Sequence, residues 1–503
     1  MDSVDPWVLA LDGSQALPRE LVGGKAWSVN HLAALGIPTP PAVTVTIAAC
    51  RVYLSTGALP EQAWEQLQSA LQAIERRSGR TFGGATRPLL LSVRSGAARS
   101  MPGMMDTVLN LGINEAVERA LARESGDPVF AADTRLRFEA DFRHIVLGHP
   151  VLGDPVLGDP SGSVPADPLE QLRRAVHAVF DSWHSARARV YRAHHGLSHE
   201  AGTAVTVQAM VFGNLDDRSG TGVLFSRNPA SGDPLPLGEW LPRAQGEDLV
   251  SGRRTPQPIE AMQATLPGPY RELLAFTRRL ERDARDVQDV EFTVEAGRLW
   301  LLQCRSAKRS ARAALRLAVS LCEEGLISKA EAVQRLTPAQ VQALREPRLD
   351  PDALAGALQL ASGTGACPGF ARGQAVMDSE SAVERGENED VILVCRTTSP
   401  EDIHGMLAAR GIVTALGGAT SHAAVVSREI GVPCVVGCGE AVLEILKGRR
   451  LTVDGQGGRI FDGLVPLAAA TRPDDPDLRR FTAWAREDAA ASPALLAALQ
   501  AAS

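Results

Sequence analysis

The segment DVQDVEFTVEAGRLWLLQCR at 286–305 carries carboxylates, an amide and a guanidinium on what reads as one β-hairpin. A three-residue loop of Ala296, Gly297 and Arg298, with Gly297 left-handed, makes Glu291 face Gln303 and Asp289 face Arg305 across the ladder. Alternation then sends Val290, Phe292, Val294, Trp300, Leu302 and Cys304 to a core face. Asp289, Glu291, Gln303 and Arg305 are left as a polar face. A carboxylate and an amide oxygen are hard ligands suited to Mg2+, which binds through one or two carboxylates plus substrate phosphates, and an adjacent arginine can clamp a phosphate. The competing reading is an exposed face with incidental ion pairs.

The second centre is GGATSHAAVVSREIGVPCVVGCG at 417–439. Two glycines permit a tight turn, Thr420 or Ser421 can cap, and His422 falls on the first turn of a helix running to about Ile430. A phosphoryl group on that imidazole would sit near unpaired backbone N–H groups and the positive end of the helix dipole, each favourable for an anion by about 0.3–1 kcal/mol. Imidazole is also a competent nucleophile near neutral pH. The alternative is a structural histidine at a helix start. Two further cations stand out. Lys25 follows two glycines in LVGGKAWS, where a point charge suits an oligophosphate, although the segment is not the G-x-x-x-x-G-K-[ST] loop and a solvated lysine is the plainer reading. Arg94 ends LLLSVRSG, and a strand followed by a glycine turn can deliver its last side chain into a site, or into a structural ion pair.

These residues need elements to hold them. GGKAWSVNHLAALG reads as a helix closed by Gly36, and LLLSVRSG as a buried strand from Leu89. Residues 113–200 are mostly helical in period, interrupted by VLGDPVLGDPSGSVPADP, a tandem repeat rich in Gly, Pro and Asp that reads as a surface loop. TAVTVQAMVFG and TGVLFSRNP return to strands. Residues 306–350 are helix-forming and strongly charged, which suits a connector between moving parts. Residues 360–470 form another α/β unit, from GACPGFARGQAV to LTVDGQGGRIFDG, and the Ala-rich tail makes at most one or two helices.

Composition narrows the classes. With 503 residues the chain holds several packing units at roughly 100–200 residues per domain. Hydrophobic residues at 45% and charged residues at 22% mark a folding globular protein, and a formal charge of −7 disfavours nucleic acid as a partner. Seven cysteines (Cys50, Cys304, Cys322, Cys367, Cys395, Cys434 and Cys438) with no C-x-x-C pair fit neither a disulfide framework nor a zinc site, and suit a reducing cytoplasm. The acidic N-terminus lacks a secretory pattern, and no run approaches about 20 apolar residues, so no membrane is expected.

Six segments in order resemble those of the pyruvate, phosphate dikinase family. They are LVGGKAWSVNHLAALGIPTPP, LLLSVRSGAARSMPGMMDTVLNLGIN, TGVLFSRNPASG, GEWLPRAQGEDLVSGRRTPQPIE, DVQDVEFTVEAGRLWLLQCRSAKR and TSPEDIHGMLAARGIVTALGGATSHAAVVSREIGVPCVVGC. The resemblance implies an α/β (α+β) chain divided into an ATP-grasp nucleotide-binding domain over 1–305, a helical linker over 306–355, a swivelling phosphohistidine domain over 356–470 and a tail over 471–503. It places Lys25, Arg94, Asp289 and Arg305 on nucleotide positions, Glu291 and Gln303 on Mg2+, His422 on the phosphorylated residue, and Thr420 on a position reversibly phosphorylated in some members. The family's reaction uses ATP and inorganic phosphate, releases AMP and pyrophosphate, and leaves a phosphohistidine that phosphorylates pyruvate.

SVRSGAARSMPGMMDT favours the dikinase over the related phosphoenolpyruvate synthases and rifampicin phosphotransferases, whose stretch resembles RSSATAEDLP. Three departures stand out: Leu416 where the family usually has Arg, Ala419 for Met, and Arg243 for Asn. The family continues into a pyruvate-binding (β/α)8 barrel, of which this sequence has no counterpart. The expected partners are therefore ATP, phosphate, and pyruvate or phosphoenolpyruvate through a separate barrel protein, with a homo-oligomer also open. Two rivals stand beside this reading: a phosphotransferase acting on another small molecule, and a catalytically silent partner of a full-length dikinase.

Overall fold

The computed structural model of the chain describes residues 6–99, 101, 104–148, 163–250, 254, 256–344, 348–468, 475–488 and 492–502. The core of the repeat expected as a surface loop, 151–162, lies outside them. The chain divides into two compact units. One comprises 1–220 and 292–304, the other 221–291 and 305–503, so the hairpin that begins at Gln288 contributes its tip to the first and its base to the second.

The first unit is built on an antiparallel sheet in the order Val8–Ala10, Ala42–Val45, Ala204–Ala209, Leu91–Gly96, Thr107–Leu111. Alternation divides the strand Leu91–Gly96. Leu91 and Val93 join a core with Val45, Leu71, Val108, Val207, Phe138 and Phe180, each fully buried side chain of this kind contributing about 1.5–3 kcal/mol. Ser92, Arg94 and Gly96 take the other face. There the helix Arg19–Ala34 packs through Val22, Ala26 and Val29. The expected helix begins before its glycines rather than at them and is kinked at Gly23, whose φ of 77° a side chain would resist. A Cβ there would also lie 1.7 Å from the Gly96 carbonyl oxygen.

The hairpin departs from expectation at its loop. Only Ala296 and Gly297 form it, with φ of 48° and 82°, the pair of positive values that a two-residue turn of this handedness needs, and Arg298 already begins the second strand. One residue fewer shifts the parity beside the turn. Leu299 and Leu301 are buried, whereas Trp300 and Leu302, expected in the core, are half-buried. Burial of Gln303 and Cys304 in succession then interrupts the alternation.

The second unit contains an eight-stranded sheet ordered Gln359–Ser362, Arg459–Asp462, Arg450–Asp454, Phe370–Val376, Val391–Cys395, Gly411–Thr414, Cys434–Val436, Thr364–Cys367. The four strands from Phe370–Val376 to Cys434–Val436 run parallel. Their crossovers are the helices Ser379–Gly386, Ile403–Ala408 and His422–Ile430, as parallel neighbours require. The chain enters this body at Arg348–Leu349 and leaves it at Leu467–Ala468, and these two short strands pair antiparallel. The connector and the tail are not separate elements. Leu317 and Leu321 of Ala311–Glu323 share one core with Phe481 and Trp484 of Pro476–Glu487 and with Leu495 and Leu499 of Pro493–Ala502.

Candidate functional site

Lys25 and Arg94 meet on one face of the first unit. Gly96 follows Arg94 by two residues and so shares its side of the strand. A Cβ on Gly96 would lie 3.2 Å from the Cβ of Lys25, and the Gly24 amide donates to the Ala97 carbonyl oxygen at 2.9 Å. Two glycines therefore let the kinked helix come down onto the strand, which brings the Lys25 side chain to the strand face that Arg94 shares. Arg94 lies inside the strand, between Thr107 and Thr206, rather than at its end. The Cys304 amide donates to Ser28 Oγ at 2.7 Å, so the strand carrying buried Gln303 is tied to the helix carrying Lys25.

In the second unit Arg305 Nε donates to Asp289 Oδ2 at 2.8 Å. The expected contact between Asp289 and Arg305 is therefore present although the loop is one residue shorter. Asp289 first, then Glu291 and Glu429, hold the Arg305 guanidinium firmly in its charged form against the cost of burial. Asp289 Oδ1 is buried and has no hydrogen-bond partner among the described residues, an orphaned acceptor of the kind a cation or a nucleotide donor satisfies. No group of three or more His, Cys, Asp or Glu side chains among the described residues forms a metal cage.

His422 opens the helix His422–Ile430, which Gly431 closes at φ 74°. Its ring is 7% exposed. Nδ1 lies 3.0 Å from Thr398 Oγ1, and Nε2 is buried without a partner. Burial pulls the imidazole down from its usual 6.5 to about 4, against the opposing pull of Asp402 and Glu401. The ring is thus neutral at pH 7, with one nitrogen oriented and the other available. Neither expected cap caps: Ser421 occupies the capping position without a side-chain hydrogen bond, and its Oγ is buried and unpartnered.

Thr420 is engaged elsewhere, by Glu239 of the strand Leu237–Pro242. That carboxylate accepts from the amides of Ala419 at 2.6 Å and Thr420 at 3.1 Å, and from the Thr420 hydroxyl. Gly418 is needed for this approach, since a Cβ there would lie 2.1 Å from Glu239 Oε1. A second tie joins Lys308 Nζ to Glu429 Oε1 at 2.8 Å. Sequence reasoning missed Glu239, Thr398 and the Lys308–Glu429 pair. The Gly418 that admits Glu239 and the threonine opening TSPED were the only local signals.

Comparisons with known proteins bear on the family of the chain. Residues 54–271 match the family described as pyruvate phosphate dikinase, AMP/ATP-binding domain, and residues 387–458 match the PEP-utilising enzyme, mobile domain. Proteins named pyruvate, phosphate dikinase align along most of the chain. The one from Rhizobium meliloti is 43% identical over 92% of this chain and 58% of its own length, and that from Clostridium symbiosum 39% identical over 95% and 60%. Pyruvate, phosphate dikinase 2 of Oryza sativa is 40% identical over 95% and 58%. The chain therefore spans somewhat over half the length of these relatives. An NMR structure of Enzyme I aligns over 19% of the chain with a TM-score of 0.14, too slight a likeness to carry an argument.

Proposed function

The chain belongs to the pyruvate, phosphate dikinase family, and from that premise we propose that it cleaves ATP with inorganic phosphate as co-substrate and stores one phosphoryl group on His422 Nε2. The observation that carries the proposal is the state of that ring: a buried imidazole, neutral at pH 7, with Nδ1 held by Thr398 and Nε2 unsatisfied. Nucleophilic attack needs the tautomer in which Nδ1–H donates to Thr398 Oγ1, which leaves the lone pair on Nε2. The phosphoryl balance is fixed by the products. AMP keeps one phosphoryl of ATP, pyrophosphate takes the added phosphate plus one more, and the third stays on the protein.

In this reading the nucleotide-binding domain covers 1–305, the linker 306–355, the phosphohistidine domain 356–470 and the tail 471–503. Lys25 and Arg94 neutralise oligophosphate charge, and Arg305, kept protonated by Asp289, clamps a phosphate. Glu291 and Gln303 would hold Mg2+, which would supply positive charge to offset that of the phosphates. Such a donor set of one carboxylate and one amide suits an ion that keeps waters and substrate oxygens in its shell. The residues themselves supply positioning and electrostatic stabilisation, the main contributions to phosphoryl transfer. Thr420 is the candidate for regulatory phosphorylation. No helix among the described residues is long and apolar enough to cross a membrane, and action in the cytoplasm belongs to the same proposal.

Incubation with ATP, Mg2+ and phosphate should give AMP and pyrophosphate in equal amounts and one acid-labile phosphoryl group on His422. His422→Ala should abolish labelling while nucleotide still binds. Labelling that persists in this variant would overturn the assignment. Onward transfer to pyruvate is tested by adding pyruvate to the labelled protein with and without a separately produced barrel domain of a relative. Loss of label only when the barrel is present is the expected result.

A further inference from the structure

Arg428 lies on the same helix as His422, six residues on, and is 8% exposed. A buried guanidinium ordinarily pairs with a carboxylate. This one does not. Nη1 donates to the Ala366 carbonyl oxygen at 3.0 Å and Nη2 to the Ala419 carbonyl oxygen at 2.9 Å, while Nε has no partner among the described residues. Ala366 sits where the register slips between Gly365 and Cys367, and Ala419 lies in the loop before His422. Burial weakens the hold on the Arg428 proton, and besides the two carbonyls the guanidinium lies over the Phe225 ring at 5.7 Å, so its burial is compensated chiefly through the carbonyl oxygens it holds.

The peptide between Ala419 and Thr420 is gripped at both ends. Its oxygen accepts from the Arg428 cation, and its N–H donates to the Glu239 anion at 3.1 Å. The two charges are ordered along the peptide dipole, positive at the oxygen and negative at the hydrogen. Glu239 belongs to a strand about 180 residues earlier in the chain, whereas Arg428 travels with the loop itself on the histidine helix.

We propose that Arg428 is a positioning residue for phosphoryl transfer at His422: through the Ala419 oxygen it fixes the Ala419–Thr420 peptide and keeps the Thr420 amide aimed as an anion-receiving donor, whether or not Glu239 fills it. The inference rests on His422 being the residue phosphorylated from ATP. Without Arg428 the peptide loses the anchor on its oxygen, and the Thr420 amide is no longer held in a preformed orientation when Glu239 is not engaged with it.

The test compares Arg428→Gln and Arg428→Lys with the unaltered protein in single-turnover labelling from ATP, with thermal melting as a control for folding. Arg428→Gln should lower the labelling rate constant by about 100-fold, the cost of misplacing a reacting group by about 1 Å, with half-saturating ATP unchanged. Arg428→Lys, whose compact ammonium lacks the planar fork that reaches the two carbonyls from separate nitrogens, should lose only about 10-fold. If Arg428→Gln does not fold, the lysine variant decides alone. An unchanged rate constant in a folded variant overturns the proposal, as does a loss that appears in half-saturating ATP rather than in the rate constant. Absence of label on His422 in the unaltered protein would instead sink the reading on which the proposal rests.

Discussion

Thr398 orients the His422 ring through Nδ1, and in the tautomer that carries its proton there the proposed nucleophile keeps its lone pair on Nε2. Thr398→Val retains the shape and removes the hydroxyl, so the labelling rate constant should fall by about 10–100-fold, the range for losing one oriented contact in general acid–base and positioning roles, with nucleotide affinity intact. Burial makes the second residue-scale prediction. Because the folded ring titrates near 4 rather than 6.5, the acid limb of the labelling rate should lie well below that of a free imidazole. The same shift couples to stability. The folded value is depressed, so the contribution from burying a neutral ring is complete above 6.5 and is lost as pH falls toward about 4. An NMR titration of the His422 ring, read beside the pH profile of labelling, checks both. A midpoint near 6.5 would contradict the buried environment.

At the scale of elements, two glycines decide whether parts that must touch can touch. Gly23 takes a left-handed conformation and stands against the Gly96 carbonyl, so Gly23→Ala strains the backbone and forces the Lys25 helix off the strand carrying Arg94. The variant should melt earlier and bind ATP more weakly. Gly418→Ala acts differently, since the clash is with the Glu239 carboxylate alone. It should leave the eight-stranded sheet folded and melting nearly as before, while the Thr420 hydroxyl, now released, becomes accessible to a protein kinase. Mass spectrometry after kinase treatment measures that. Equal modification of Thr420 in both proteins would show that Glu239 does not shield it.

At the scale of the whole chain, the second unit contains a core that the chain assembles from segments before and after its eight-stranded sheet. The connector helix Ala311–Glu323 is strongly amphipathic by its pattern of Leu315, Leu317, Leu321 and intervening charges, and its apolar face is filled by the last two helices. Phe481 is fully buried there. Phe481→Ala should cost about 3–5 kcal/mol, as truncating a buried phenylalanine does. The loss should appear as a lower melting temperature with the His422 titration unchanged, because the cavity lies outside the histidine body. A residual effect near zero would mean that the tail does not dock in solution.

How much of this was legible beforehand follows from the range of each interaction. Sequence alone determined the elements with a short repeat: the helix beginning at His422, the hairpin, the apolar strand holding Arg94, and the juxtaposition of Asp289 with Arg305. These depend on neighbours a few residues apart, whose faces are set by periods of 2 and 3.6. Even there, one residue of loop length moved Trp300 and Leu302 off the core face, since parity carries no memory of where a turn closes. Only the tertiary structure decided that Glu239 would fill the amides of Ala419 and Thr420, that Thr398 would hold the histidine ring, and that the tail would cover the connector. Each joins residues distant in the chain, and such meetings follow from strand order and packing, which no local pattern encodes.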